Sequence, residues 1–222
     1  MTRVTNARIA GFTFLFYIAV AFPSMILLNR ATNGEGIVAK LTALAQHAAD
    51  VRLAVVLSLA GCFSALVLAV TLYAITRDED RDLAMLGLTC RLAEGVTGAV
   101  SIPATLGLLQ LATVPGPQAP DSAATQALAE FVLEQTPLIP ATFFAVGSTF
   151  FAWLLLRGRM IPVALAWLGV AASILIVVGL PLQLAGVLRG PVTQLMWIPM
   201  AAFEIPLGLW LLIKGVALPA TR

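Results

Sequence analysis

Residues Leu83–Val114 read LAMLGLTCRLAEGVTGAVSIPATLGLLQLATV. The run has no turn signal before Pro103 and is almost entirely apolar. At about 1.5 Å per residue a helix over this stretch exceeds the roughly 30 Å of a bilayer's hydrocarbon core. Yet Arg91 and Glu94 stand near its middle, one turn apart. A spanning helix with two charges in its interior decides how the rest of the chain is read.

The whole chain fits the same class. Of its 222 residues 60% are apolar and 11% are charged, against roughly 25% charged in a soluble domain. Six runs are long enough to span, at about 8–28, 51–76, 83–112, 137–156, 162–185 and 193–213. The sequence therefore predicts an all-α polytopic membrane bundle of six transmembrane helices, with residues 1–222 forming a single transmembrane domain. Arg3 and Arg8 precede the first run, Ile9 to Leu28. That run is longer than a signal-peptide core, and Phe22-Pro23-Ser24 does not resemble a cleavage site, so it reads as a retained span.

Prolines mark the span ends and one interior. Pro162 suits the first turn of the fifth span, and Pro137 and Pro140 suit the opening of the fourth. Pro103 predicts a kink in the third, which should end before Pro115-Gly116-Pro117.

Orientation follows from basic residues in the short connections. Arg3, Arg8, Arg77, Arg81, Arg157, Arg159, Lys214 and Arg222 fall on one side; Arg30, Lys40, Arg52 and Arg189 fall on the other. The excess places both termini in the cytoplasm and the protein in the inner, cytoplasmic membrane. The 114–136 loop has no Lys or Arg, as an outer loop should. The two long outer loops carry helical patterns. Ile37, Val38, Leu41, Leu44, Ala45 and Ala48 form one; Ala124, Ala127, Leu128, Phe131 and Val132 form the other, with Asp121 or Ser122 as its N-cap. Such helices could lie along the outer surface or cover the bundle.

Depth brings the buried charges together. From Leu83, Arg91 lies about 12 Å into the hydrocarbon and Glu94 about 16 Å. The sixth span contains Glu204 in WIPMAAFEIPLGLW, about 13 Å from its end near Ile213. Each charge at such depth costs at least about 2.5–3.5 kcal/mol unless paired or wetted. Spans three and six are therefore expected to pack together, with Arg91 bonded to Glu204, Glu94 or both. Pro206 frees the carbonyl of Ala202, and Pro199 that of Leu195. One Arg cannot neutralise two acids. Arg91, Glu94 and Glu204 thus form either a register-fixing ion pair or a ligand, proton or ion site.

Other polar features are weaker. DEDRD (Asp78–Asp82) has the look of an acidic metal cluster of membrane prenyltransferases, but the second acidic cluster such enzymes need is missing, so a solvated connection is the better reading. His47 reads as a surface residue. No catalytic residue, metal site or nucleic-acid motif emerges, and no cofactor is implied.

Four segments together carry a family resemblance: RIAG at Arg8–Gly11, RLAEG at Arg91–Gly95, LLLRGRMIPVALAWLG at Leu154–Gly169 and FEIPLGLWLLIKG at Phe203–Gly215. With them the chain resembles a family of uncharacterised bacterial integral-membrane proteins, domain of unknown function 4386. That family often has Ser where Gly158 stands and Arg or Lys where Val163 stands. The resemblance implies one polytopic membrane domain and brings no activity. The expected function is non-enzymatic: binding of a lipid or small-molecule ligand, or support of a larger membrane complex as an accessory subunit or homo-oligomer. The alternatives are a small secondary transporter and, further off, a membrane-embedded enzyme. The lipid bilayer is the expected partner, and nucleic acid is not.

Overall fold

A computed structural model describes residues 1–113, 123–134 and 138–217. Among these residues nine helices follow in order: α1 Arg3–Ala31, α2 Ile37–Gln46, α3 Ala48–Thr76, α4 Arg81–Thr113, α5 Ala123–Glu134, α6 Leu138–Arg157, α7 Val163–Leu184, α8 Val192–Leu195 and α9 Ile198–Ile213. Six helical stretches are long and apolar enough to cross a membrane: α1, α3, α4, the one that ends with α6, α7, and α8 taken with α9. They coincide with the six runs read from hydropathy, so the chain is an all-helical, multi-pass membrane protein.

The described residues form two compact units. The first comprises Met1–Tyr17, Phe63–Val96 and Leu138–Arg222. Its core holds Phe14, Leu72, Phe144, Phe151, Phe203 and Leu207. Glycine lets two helices of this unit approach closely. A Cβ added at Gly11 of α1 would collide with the α9 backbone at Leu212 and Gly208. In the same unit, Asp80 caps α4 by accepting the N–H of Leu83 at 3.1 Å, as N-terminal caps do. Arg157, at the end of α6, pairs with Glu79 at 3.2 Å and with Asp80 at 3.3 Å. The DEDRD stretch thus serves as cap and ion-pair partner for the tight α6–α7 turn, in which Arg159 takes a left-handed φ of 50°.

The second unit comprises Ile18–Cys62 and Thr97–Pro137. Here α2 and α5 form on the helical patterns at 37–48 and 124–132, except that α2 ends at Gln46 and Ala48 opens α3. Buried Leu41 and Leu44 of α2 share a core with Ala129 of α5 and Leu108 of α4. His47 caps the C-terminus of α2 and lies 3.3 Å from Asp50. Ser24 of α1 donates to the Ala54 carbonyl of α3 at 3.0 Å and meets the Ser58 hydroxyl at 2.9 Å.

Several details differ from the sequence reading. Pro162 is not inside α7 but one residue ahead, at its N-cap. The sixth span is not one helix: it breaks between α8 and α9, and Pro199 sits in the first turn of α9. Its missing N–H is therefore one that a helix start leaves unbonded anyway, and it opens no carbonyl inside a continuous helix. Pro206 does lie inside α9, and Pro103 inside α4. Pro23 and Pro181 also lie within helices. The cap at Asp121 or Ser122, Pro137, the Pro115-Gly116-Pro117 stop, the parts of the basic-free 114–136 loop on either side of α5, and Arg222 lie outside the described residues.

Candidate functional site

The site is built on α4. Residues three apart on a helix share a face, and this spacing brings Arg91 and Glu94 together. The Arg91 Nη1 donates to Glu94 Oε2 at 2.7 Å. Both are deeply buried: Arg91 is 1% exposed and Glu94 5%. Three further helices bring groups to the pair, all within the first unit.

From α1, the Tyr17 hydroxyl donates to Glu94 Oε1 at 3.0 Å. Each carboxylate oxygen of Glu94 thus accepts a hydrogen bond from a different helix. Phe14, one turn earlier on α1, places its ring 5.9 Å from the Arg91 guanidinium carbon. From α6, the Phe144 ring lies nearer, at 4.8 Å. Two aromatic faces around a desolvated guanidinium supply cation–π attraction where water is excluded. Gly147 of α6 makes room for the stem: a Cβ there would stand 3.1 Å from Arg91 Cγ.

From α9 comes Glu204, 6% exposed. It does not join the short ion pair. With Arg91 and Ser148 it lines a small cavity of about 10 Å³, whose wall also includes Phe14, Phe151 and Phe203. That volume lies at the lower edge of what a single water needs. The Arg91 Nε–H is buried and meets no hydrogen-bond acceptor among the described residues. Spans three and six thus face a common cavity, and the three ionisable residues picked out by depth lie in one neighbourhood. Of the two acids, the one within salt-bridge distance of Arg91 is its helical neighbour.

Tyr17, Phe14, Phe144 and Ser148 belong to this centre and were not among the residues singled out from sequence. Two of them carried a usable signal. Tyr17 lies about 14 Å along its helix from Arg8, and Ser148 about 14 Å from Arg157. The depth count that found the charges would have found both. The two phenylalanines had no such mark among 11 in the chain.

Arranged this way, the centre can hold charge and exchange hydrogen bonds. Among the described residues no group of three or more His, Cys, Asp or Glu is placed to hold a metal ion.

Residues 9–215 match the sequence profile of a domain of unknown function, DUF4386. The chain belongs to this family. Neither a curated protein nor a solved structure matches it. The region shared with DUF4386 contains every residue of the polar centre, from Phe14 to Glu204.

Proposed function

We propose that this DUF4386 protein is a non-enzymatic membrane protein whose polar centre, Arg91, Glu94 and Glu204 with Tyr17, binds a small polar guest. Its place would be the inner, cytoplasmic membrane, with both termini in the cytoplasm. One observation carries the reading: Glu204 shares a cavity wall with Arg91, while the short ion pair of Arg91 goes to Glu94. Two carboxyl groups thus stand against one guanidinium. If both were ionised, one negative charge would remain in excess, and an uncompensated charge in hydrocarbon is expensive. A proton or a single small cation at Glu204 removes the excess.

The size of the cavity bears on the guest. About 10 Å³ admits a species no larger than one water, so a lipid or a drug-sized molecule does not fit between these side chains. Ser148 offers a hydroxyl that can donate or accept beside the Glu204 carboxyl. An accessory subunit would use such a centre as a charge-balanced core that responds to the guest. A small secondary transporter is the second reading. The break between α8 and α9 favours it, because discontinuous spans often flank transport sites.

Infrared difference spectroscopy and thermal unfolding on the detergent-purified chain test the proposal, with pH and sodium concentration varied in turn. The wild type should show a carboxylic-acid carbonyl band, or a melting temperature that rises with sodium. Glu204→Gln should abolish that response while leaving the helix content intact. Identical responses from wild type and variant would mean that the centre binds nothing and only fixes packing.

A further inference from the structure

We infer that the start of α1 binds an anionic phospholipid, with the phosphate on Arg8 and an acyl chain along Phe12 and Phe16. This site is separate from the polar centre and does not depend on the function proposed for it.

A shallow surface groove of about 320 Å³ lies here, lined by Val4, Thr5, Arg8, Ile9 and Phe12. Arg8 is exposed, and among the described residues it makes no ion pair. Phe12 is 60% exposed. Its ring stacks on that of Phe16, with centroids 6.1 Å apart and planes inclined by 13°. Residues 8, 12 and 16 are each four apart, so they form one row along the helix. A cation followed by two stacked apolar rings matches the order of groups in a phospholipid, charge first and hydrocarbon beneath.

The height agrees as well. The apolar run from Ile9 to Leu28 covers about 30 Å as a helix, the thickness of the hydrocarbon layer. Arg8 therefore stands at the headgroup level and Phe12 just below it. A guanidinium offers a planar fork that suits phosphate oxygens. The Thr5 hydroxyl, one turn earlier in the same groove, is a second polar contact; it shares a 2.7 Å hydrogen bond with Thr2.

Charge selects among occupants. α1 contains no acidic residue, and Arg3 adds a second cation at this end. A zwitterionic headgroup would bring its own cation towards these arginines. A second copy of the chain, docked symmetrically, would bring another Arg8. An anionic lipid meets neither objection.

The test is native mass spectrometry of the full chain released from micelles holding equal phosphatidylglycerol and phosphatidylcholine. The wild type should retain phosphatidylglycerol preferentially. Arg8→Gln should lower that preference roughly tenfold, the weight of one charge-assisted contact, and Arg8→Lys should keep part of it. Phe12→Ala should weaken retention of both lipids. Arg52→Gln, an exposed arginine of the other unit, is the control and should change nothing. Three results overturn the proposal: equal lipid ratios for wild type and Arg8→Gln; an equal loss in Arg52→Gln, which would mean diffuse attraction; or a dimer that Phe12→Ala dissociates without any lipid preference.

Discussion

Arg91 and Glu94 meet at 2.7 Å one helical turn apart on α4, and both lie away from solvent. The partner nearest in sequence is therefore the direct one. A guanidinium so placed holds several groups at once: the Glu94 carboxylate, two aromatic faces and one wall of the Glu204 cavity. Arg91→Ala removes all of these and strands two acids. We expect a loss of about 3–5 kcal/mol, as when one member of a buried pair is deleted. Chemical denaturation in mixed micelles measures it. A loss below about 1 kcal/mol would show that the charges are well solvated and the site is not dry.

Tyr17 adds a second donor to Glu94. Tyr17→Phe keeps the ring and removes only the donor 3.0 Å from Oε1. A hydrogen bond to a charged group is worth about 1.5–3 kcal/mol, so this single oxygen should matter measurably. Its loss should be smaller than that of Arg91→Ala and should shrink in a background that already carries Glu94→Gln. Additive losses in that double-mutant cycle would disconnect Tyr17 from the centre.

What could be read in advance follows the physics of each feature. The spans were legible because hydrocarbon thickness fixes helix length, and nothing else in a chain this apolar competes with that signal. The charges were legible because depth along a helix is a simple count. Which acid Arg91 would choose stayed open, since depth alone does not fix helix rotation; the three-residue spacing to Glu94 held the answer. Phe14 and Phe144 depend on rotation and neighbour order, which periodicity does not supply in helices that are apolar on every face. The break before α9 left a trace in Pro199, a residue favoured in first turns.

Two glycines separate packing from propensity. Gly11 of α1 faces the α9 backbone so closely that no Cβ fits, whereas at Gly107 of α4 nothing lies within 4 Å of an added Cβ. Gly11→Ala should cost about 1–3 kcal/mol through overpacking. Gly107→Ala should be neutral or stabilise by up to about 1 kcal/mol through helix propensity. Thermal melts of both variants check the contrast, and equal effects would contradict the α1–α9 approach.

Topology rests on the distribution of Lys and Arg. Reporter fusions after Arg81 and after Asp121 should fall on opposite sides of the membrane, the first cytoplasmic. If both report one side, α4 does not cross.

The last prediction concerns how three ionisable groups share their charge. If Arg91 and Glu94 form a neutral unit and a guest neutralises Glu204, the pair can be removed as a unit. Arg91→Met with Glu94→Leu should then recover most of the loss caused by Arg91→Met alone, because buried pairs are often replaceable by apolar residues of similar volume. Arg91→Met with Glu204→Leu should recover little, since Glu94 would keep its Tyr17 donor but lose its cation. If instead Arg91 serves both acids equally, the two double variants should recover alike. Denaturation curves for the four variants, with the coupling energies taken from the cycles, separate these accounts. Equal recovery would mean that Glu204 is paired with Arg91 as closely as Glu94 is, and the proposed binding function, which rests on Glu204 standing outside the ion pair, would fall with it.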